Sequence, residues 1–443
     1  MRVVHLFTRD LRVTDHEALN AASQHELGFA YCLPENFHSL SPIRAHSLTV
    51  SLNSLANKLP ARLAVFESVE SFVVALKNQQ IEAVYATRNY DTLGMLWQSN
   101  LAEALYNAGI ALHLIGSNYA VVPGEIRKDD GTPLKVYTPF YRRWAERAVS
   151  KPVEVDLSKT NCFDIAAGPI PTPESEAPFA IKAGEDYALR TLKRFIANRV
   201  HGYHQNRDRT DLGGTSHLSH ALAHGEIHPR TILSMLPGGE GAEVFRKEIA
   251  WREFYADVMF HNPHSYDQYL DQRFARMRYA DPEQGSTLLE AWKLGKTGYP
   301  IVDAAMRQLA QTGWMHNRAR MIVASFLVKD LHFEWQIGAR HFEECLTDFD
   351  PASNSHGWQW TAGCGTDASP FFRVFNPITQ GEKFDPNGDY VKKYIPELAH
   401  ISGSKVHQPW LLVDGLANGY PAPIVDHATE RLEALARLKE ISN

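Results

Sequence analysis

The chain has 443 residues, of which 44% are hydrophobic, 11% aromatic and 22% charged, and its formal net charge is −6. A chain of this length is too long to fold around a single hydrophobic core, so two domains are expected. The hydrophobic content excludes a chain that is disordered as a whole. The acidic balance means that a nucleic-acid partner would need a local basic patch.

Residues 1 to about 130 alternate short apolar strands with helices. The opening MRVVHLFTRD predicts a strand rather than a signal peptide. Strands are predicted at Val3–Phe7, Gly28–Cys32, Ala83–Ala86 and Ala111–Ile115, with helices at Asp15–Ala22, Ser47–Leu59 and Ser71–Asn78. This alternation predicts a doubly wound, Rossmann-like parallel α/β sheet. No GxGxxG follows the first strand, so the usual dinucleotide site is not indicated.

A Pro-, Ser- and Thr-rich segment from Val153 to Ala180 (including GPIPTPESEAP) is typical of a linker. Beyond Gly184 the pattern is helical almost throughout. The predicted helices are Glu185–Asn198, Val244–Phe260, Tyr299–Leu309, Asn317–Leu331 and Ile337–Leu346. We therefore predict an α/β domain over residues 1–130, a linker over 131–184 and an all-α domain over 185–443.

The four cysteines are scattered and form no CxxC pair, at Cys32, Cys162, Cys345 and Cys364. This spacing predicts neither a disulfide framework nor a structural zinc site, and it fits a reducing compartment. No apolar run approaches the ~20 residues that a membrane span needs. We expect a soluble, cytoplasmic protein.

The segment GGTSHLSHALAHGEIHPR (Gly213–Arg230) places Thr215, Ser216 and Ser219 at a predicted helix start. Hydroxyls and free backbone N–H groups at such a start can bind an anion. An ordinary Ser/Thr helix cap explains the same residues, and both interpretations stay open.

The segment FRKEIAWREFYADV (Phe245–Val258) places a carboxylate, an indole, a guanidinium and a phenol on one helical face, at Glu248, Trp251, Arg252 and Tyr255. One interpretation is an ordinary amphipathic helix with an i,i+4 ion pair. The other is the wall of a cavity, whose side chains stack on the ring of a ligand and form hydrogen bonds with it. The residues alone do not decide between the two.

Two later segments, Thr297–Asp330 and Leu346–Phe384, concentrate tryptophan with polar side chains. Asn317, Arg320 and Met321 share a helical face, and Asp348, Asp350 and Asn354 directly precede Trp358 and Trp360. The two aspartates lack the further ligands that a metal requires, so no metal site is predicted.

These segments resemble the flavin domain of the photolyase/cryptochrome family, most closely the class I cyclobutane pyrimidine dimer photolyases. FTRDLRVTDHEAL is similar to the family's opening motif, and PLKVYTPFYRRW (Pro133–Trp144) resembles its segment before the linker. The similarity extends to about Asp426. It implies a lyase that binds FAD and uses blue light to repair pyrimidine dimers in DNA, by electron transfer from photoexcited reduced FAD to the dimer.

The resemblance also implies roles for single residues. The FAD phosphates and their surroundings would contact Tyr203, Thr215, Ser216, Leu218 and Ser219. The flavin would contact Phe245, Arg252, Asn317, Arg320, Asp348, Asp350 and Asn354. The flipped-out dimer would contact Glu248, Trp251, Asn317, Met321 and Trp360. The DNA backbone would contact Arg207, Arg318 and Arg373, and electrons would pass through Trp358 and Trp335.

These roles are physically reasonable. A dimer reaches a buried cofactor only after leaving the base stack, and photolyases belong to the enzymes that flip bases. Indole faces at Trp251 and Trp360 suit stacking on extruded bases. Glu248 could share a proton with a pyrimidine carbonyl, and arginines supply phosphate contacts that do not depend on sequence.

Two asparagines favour dimer repair over the other activities of the family. Many cryptochromes carry Asp or Cys at the position of Asn354, and (6-4) photolyases typically carry His at that of Asn317. The alternatives are a cryptochrome-like photoreceptor without repair activity and a redox or RNA-binding relative that retains FAD. We expect a monomer.

The sequence departs from the family pattern at three places. Phe245 stands where class I members usually have Trp. The outer tryptophan of the electron-transfer chain has no counterpart about ten residues before Trp292, where either Tyr279 substitutes or electrons take another route. Gly94 and Met95 replace the Asn-Glu pair of folate-binding members, so a second, antenna chromophore could be folate, a deazaflavin or a flavin, or none is bound.

Overall fold

The computed structural model describes residues 1–147, 151–173, 179–367 and 373–442. Parts of the predicted linker (148–150, 174–178) and of the predicted segment Leu346–Phe384 (368–372) lie outside these residues. The chain forms two compact units. We call Met1–His201 with Ser216–Pro263 the sheet unit, and Gly202–Thr215 with His264–Asn443 the helical unit. The domain boundaries at 130 and 184 stay a prediction.

A five-stranded sheet with the order β3-β2-β1-β4-β5 forms the centre of the sheet unit. Its strands are β1 (Arg2–Phe7), β2 (Glu26–Cys32), β3 (Leu63–Phe66), β4 (Ala83–Ala86) and β5 (Ala111–Leu114). Every neighbouring pair is parallel, which confirms the predicted sheet. The sequence analysis missed β3, since four apolar residues in a row show no period that marks a strand.

Helices cover both faces of the sheet. Val3 and Phe7 pack into a core on one face, while Val4 and Leu6 pack into a core on the other. The helices of this unit are α1 (Glu17–Ala22), α2 (Pro42–Ala56), α3 (Val69–Asn78), α4 (Thr92–Asn107), α5 (Tyr137–Glu146), α6 (Glu185–Asn198), α8 (Ser219–Ala223), α9 (Pro229–Met235) and α10 (Glu240–His261). Burial of both faces explains why β1 to β4 consist mostly of apolar residues, whereas β5 at the edge of the sheet is only partly buried.

The opening motif FTRDLRVTDHEAL forms a buried polar clamp after β1. Asp10 accepts hydrogen bonds from the Thr8 backbone N–H and the Thr87 hydroxyl, and His16 Nε2 lies 3.0 Å from Asp10 Oδ2. The other nitrogen of His16 accepts the Leu19 N–H and so caps α1. Within the sheet unit this motif is therefore structural.

Buried carboxylates on α10 fasten this helix to earlier segments of the sheet unit. Glu253 accepts the Trp144 indole N–H at 2.7 Å and the backbone N–H groups of Ala120 and Val121. Asp257 Oδ1 accepts the Gly124 N–H at 2.7 Å. These bonds position α10, which carries four of the residues predicted to contact the flavin or the dimer.

Asp257 should make stability depend on pH. Burial raises its pKa from 3.8 to about 6, only partly offset by the Gly124 N–H and Arg127. Because the folded state binds this proton more tightly than the unfolded state, Asp257 contributes stability that is fully present below about pH 4. This contribution, on the order of 2 kcal/mol of the free energy of unfolding, is lost as the pH rises through 6. We expect Asp257→Asn, which keeps an acceptor for Gly124, to remove this loss.

The measurement is the melting temperature of Asp257→Asn minus that of the wild type, from pH 4 to pH 7. The difference should grow by a few degrees as pH rises. Asp129→Asn is the control, since the Asp129 side chain is 94% exposed. A difference that stays constant with pH would show that Asp257 is not the titrating group.

The helical unit contains no strand among its described residues, as predicted. Its helices are α7 (Tyr203–Asn206), α11 (Ser286–Lys293), α12 (Pro300–Thr312), α13 (Asn317–Lys329), α14 (Trp335–Cys345), α15 (Pro351–Ala362), α16 (Pro377–Phe384), α17 (Asp389–Tyr394) and α18 (His427–Ile441). Its core includes the fully buried Trp292, Phe326 and Trp335. The four cysteines are free. No helix within the described part of the chain has the length and apolar character to cross a membrane.

Candidate functional site

An ion pair joins the start of α13 to the segment before α15. Arg320 Nη2 donates to Asp348 Oδ2 at 2.6 Å, and Arg320 Nε donates to the Met315 carbonyl at 2.9 Å. The Asp348 side chain is 1% exposed and that of Arg320 25%. Within the described residues, Asp348 Oδ1 is buried and has no hydrogen-bond partner. A buried carboxylate oxygen usually has one, so this atom is suited to accept from a ligand.

Asp350 and Asn354, two further residues predicted to contact the flavin, lie at the start of helix α15. Asp350 caps the helix by accepting the Ser353 N–H at 2.9 Å. Asn354 Nδ2 donates to the Ala339 carbonyl of α14 at 3.0 Å, which fixes the side-chain amide. The predicted cluster of Asp348, Asp350 and Asn354 thus lies around the start of one helix.

The predicted dimer-contacting residues of the helical unit are partly accessible. Asn317 is exposed, and Met321 and Trp360 are half-buried. His316 caps α13 by accepting the Arg318 N–H, so Asn317 stands in the first turn. All three side chains are therefore accessible for contact with a ligand.

Each of the two predicted electron-transfer tryptophans lies beside other aromatic rings. Trp358 is 2% exposed and lies 6.2 Å from Trp292 between ring centroids. Trp335 lies 6.3 Å from Tyr269, which stacks on Tyr279 at 6.1 Å. Among the described residues neither indole N–H of the two predicted tryptophans has an acceptor, although buried indoles usually find one.

Gly338 on α14 is a residue that the sequence analysis missed. A Cβ at this position would lie 2.1 Å from Cη2 of Trp358, so only glycine lets the indole approach the helix this closely. The available signal was a glycine inside a helical pattern, which often marks close packing. Tyr269 was also missed, and it had no comparable signal.

The three predicted DNA-contacting arginines lie on the helical unit. Arg318 Nη2 is 3.0 Å from Asp208 Oδ1, and Arg207 Nε is 4.0 Å from the same oxygen. Arg373 is exposed, and its carbonyl accepts a hydrogen bond from Lys329. Burial lowers the pKa of Lys329 to about 7.

Helix α10 of the sheet unit carries Phe245, Glu248, Trp251 and Arg252. The Trp251 ring stacks on Tyr137 with centroids 3.7 Å apart and planes 7° from parallel. Glu248 and Trp251 are half-buried, whereas Phe245 is buried against Phe195. One face of Trp251 is thus covered by Tyr137, a residue whose role the sequence analysis missed.

Arg252 lies in a small cleft of the sheet unit. Its guanidinium donates to the carbonyls of Asn118 and Leu222 and lies 4.6 Å from the Tyr119 ring centroid. Arg9, Arg88 and Tyr90 also line the cleft. The cleft follows the carboxyl ends of β1 and β4, where the strand order reverses and α/β sheets commonly bind ligands.

The predicted phosphate-binding segment forms a short turn of helix. Helix α8 begins at Ser219, after the predicted hydroxyl cluster, and the Ser216 hydroxyl accepts the Leu218 N–H at 3.3 Å. Leu218 is buried, as is Tyr203 at the start of α7 in the helical unit. Thr215 is half-buried. Their assignment to FAD phosphates stays a prediction.

The parallel-sheet unit and the helical unit define an α/β protein with a second, all-α part. Residues 3–157 match the family model described as DNA photolyase, and residues 245–440 match the FAD binding domain of DNA photolyase. The chain belongs to the photolyase/cryptochrome family. The predicted FAD-binding helical domain is thereby confirmed.

Curated relatives match over nearly their whole length. The deoxyribodipyrimidine photo-lyase of Alkalihalophilus pseudofirmus is 36% identical and covers 98% of this chain and 97% of its own. That of Vibrio cholerae is 38% identical, with 97% of each chain covered. The predicted enzyme class, a deoxyribodipyrimidine photo-lyase, is thereby confirmed.

Solved structures agree on the fold. A class III photolyase from Agrobacterium tumefaciens has a TM-score of 0.86 at 34% identity, covering 99% of this chain and 97% of its own. A cryptochrome from Synechocystis has a TM-score of 0.87 at 28% identity, covering 99% and 98%. An archaeal photolyase from Sulfolobus tokodaii, with two FAD molecules, has a TM-score of 0.84 at 28% identity, covering 99% and 100%. The class I assignment stays a prediction.

Proposed function

We propose that this chain repairs cyclobutane pyrimidine dimers in DNA, with FAD as cofactor and blue light as energy source. The observation that carries the proposal is the Arg320–Asp348 ion pair, whose Asp348 Oδ1 has no partner among the described residues. It lies within the segment that matches the FAD-binding domain. When bound, reduced and photoexcited FAD supplies the electron that splits the dimer.

The residues of the helical unit fit a flavin chemically. Arg320 offers a cation and Asp348 an acceptor, and each holds the other in place. The Asn354 amide is fixed by the Ala339 carbonyl, so its oxygen is presented in one orientation. Such fixed groups stabilise a change of charge without reorganising during the reaction.

The dimer would be held by stacking and by a carboxyl group. Tyr137 supports one face of the Trp251 indole and so makes it a rigid platform for a base. Trp360 offers a second half-buried indole. Glu248 would hydrogen-bond or protonate a pyrimidine carbonyl, with Asn317 and Met321 completing the contacts.

Contacts to the DNA backbone would come from Arg207, Arg318 and Arg373, which satisfies the need for a local basic patch in a chain of net charge −6. The enzyme would act as a monomer in the cytoplasm. Because phosphate contacts carry no sequence information, the lesion alone would be recognised.

The experiment is survival of a repair-deficient bacterium that expresses this chain after ultraviolet irradiation. Blue light given after the irradiation should raise survival, whereas dark-kept cells should show no gain. A cryptochrome-like photoreceptor is the second candidate, favoured by the similarity to the Synechocystis structure. Unchanged survival in light, with FAD bound to the purified protein, would support that candidate and contradict repair.

A second, antenna chromophore would be folate, a deazaflavin or a flavin, or none is bound. Gly94 stands in the first turn of α4, where a Cβ would meet Asn89 at 2.7 Å. An absorption band of the purified protein beyond those of one FAD would identify the chromophore.

We expect electrons that reduce the flavin in light to pass through Trp358 and Trp335 and to enter at Tyr279 through Tyr269. The Tyr269 hydroxyl donates to Glu334 at 3.0 Å, so a proton acceptor is at hand when this tyrosine is oxidised. Tyr279→Phe should slow light-driven reduction of bound FAD about tenfold, ~1.4 kcal/mol of activation free energy. Phenylalanine keeps the ring but is much harder to oxidise.

The measurement is the rate of FAD bleaching under blue light with an external thiol. Tyr106→Phe is the control, because Tyr106 is 84% exposed in the sheet unit. Equal rates for the wild type and Tyr279→Phe would place the entry of electrons at another residue.

A further inference from the structure

Asp208 lies beside two of the arginines proposed to contact DNA. Its Oδ1 is 3.0 Å from Arg318 Nη2 and 4.0 Å from Arg207 Nε. The three side chains are partly exposed, at 37% for Asp208, 18% for Arg318 and 28% for Arg207. One carboxylate therefore occupies a position next to two cations that a DNA phosphate would otherwise neutralise.

Arg318 does not depend on Asp208 alone for its position. Its guanidinium carbon lies 4.6 Å from the centroid of the Phe384 ring at the end of α16. The Phe384 carbonyl in turn accepts hydrogen bonds from the Thr210 N–H and hydroxyl, at 3.0 and 3.1 Å. The ring contact would keep the guanidinium in place if the carboxylate were removed.

The loop that carries Asp208 is itself held in place. Arg209 donates to both carboxylate oxygens of Asp211, at 2.7 and 2.5 Å, and Thr210 is bonded to Phe384. Asp208 is thus presented at a defined position between α7 and the remainder of the loop. Its charge acts on Arg318 and Arg207 rather than being averaged over a moving segment.

We propose that Asp208 competes with the DNA phosphate for Arg318 and Arg207 and so sets how tightly the enzyme binds DNA of any sequence. The proposal rests on the proposed function, because it requires these arginines to contact DNA. A phosphate that approaches Arg318 must displace the carboxylate or share the guanidinium with it, and the two anions repel each other. Both effects weaken binding.

The consequence is a lower occupancy of undamaged DNA. Contacts to the phosphate backbone are the same at a dimer and at an intact site, so Asp208 weakens both by a similar factor. Binding of the dimer has the additional contacts of the base pocket, which Asp208 does not touch in the structure. The enzyme would leave undamaged DNA faster and still hold the lesion.

The test is DNA binding by Asp208→Asn, measured by fluorescence anisotropy on a duplex with one cyclobutane thymine dimer and on the same duplex without it. We expect both affinities to rise about two- to fivefold, the range of a partly exposed charge pair. The gain should shrink as salt is raised, because ions screen the carboxylate. Asp389→Asn is the matched control, since it removes the same charge from an exposed ion pair of the same unit, with Lys392 at 3.3 Å.

A double-mutant cycle identifies the route of the effect. In the background of Arg318→Gln, the gain from Asp208→Asn should fall to less than half, because the cation for which it competes is gone. Asp208→Ser provides a second variant with the same expected gain. Equal or weaker binding by both Asp208 variants would overturn the proposal and assign the carboxylate to holding Arg318 in place.

The outcome separates this proposal from the proposed function. If the wild type binds the dimer-containing duplex more tightly than the intact one, DNA recognition stands and the Asp208 variants decide the proposal. If the wild type binds neither duplex, the proposed function and the role of Asp208 both fall.

Discussion

Replacing Asp348 with alanine should yield a folded protein that purifies almost without FAD. The change removes the carboxylate that pairs with Arg320 at 2.6 Å, and of the partners that the described residues give this guanidinium it leaves the Met315 carbonyl. It also removes Oδ1, the buried oxygen for which the described residues offer no partner. We expect the affinity for FAD to fall roughly 100-fold, or ~2.7 kcal/mol, as when one partner of a desolvated charge pair is deleted.

The ratio of flavin to protein absorbance in the purified protein, together with titration of apoprotein by FAD, measures this loss. Glu397→Gln is the matched control, because Glu397 forms a comparable carboxylate–guanidinium pair with Arg307 in the same unit, at 2.9 Å. Circular dichroism checks that each variant folds. A folded Asp348→Ala protein with normal FAD content would exclude Asp348 from the flavin site.

Replacing Glu248 with alanine should abolish most repair and leave FAD bound. Glu248 is half-buried on α10, on the helical face that also carries Trp251. As a proton donor or hydrogen-bond partner for the dimer, it should accelerate repair about 100-fold, the lower range for general acid catalysis. Glu248→Gln, which keeps a donor but cannot release a proton, should retain an intermediate rate.

Repair per absorbed photon on a dimer-containing oligonucleotide measures this effect, with the flavin spectrum as the check on cofactor content. Glu243→Ala is the control on the same helix, since the Glu243 side chain is 49% exposed. Equal loss in the two variants would show that a general change of charge on α10, and not a contact with the dimer, lowers the rate.

The sequence predicted the helices correctly where the periodic pattern of apolar residues extends over many residues. The helices predicted at Val244–Phe260 and Asn317–Leu331 are α10 and α13, within a few residues at each end. The four predicted strands are β1, β2, β4 and β5. The strand β3 was missed because it has only four residues. The helix α4 was missed because its sequence lacks a clear amphipathic pattern. The packing that stabilises such elements comes from distant parts of the chain, which local periodicity does not report.

The candidate site was accessible mainly through resemblance to a family. Helical spacing placed Asn317, Arg320 and Met321 on one face. It could not predict the ion pair between Arg320 and Asp348, because the two residues are 28 positions apart in the chain and lie on different elements. Contacts of this kind depend on how helices pack. The same holds for Tyr137 against Trp251 and for Asp208 against Arg318, which nothing in their local sequence indicated.

The central claim is that this chain splits pyrimidine dimers in light. The most direct measurement is illumination of the chemically reduced protein with an oligonucleotide that contains one cyclobutane thymine dimer, followed by chromatography of the DNA. We predict that intact thymines return in blue light and do not return in the dark. Bound FAD and bound DNA without any restored thymine in light would contradict the claim.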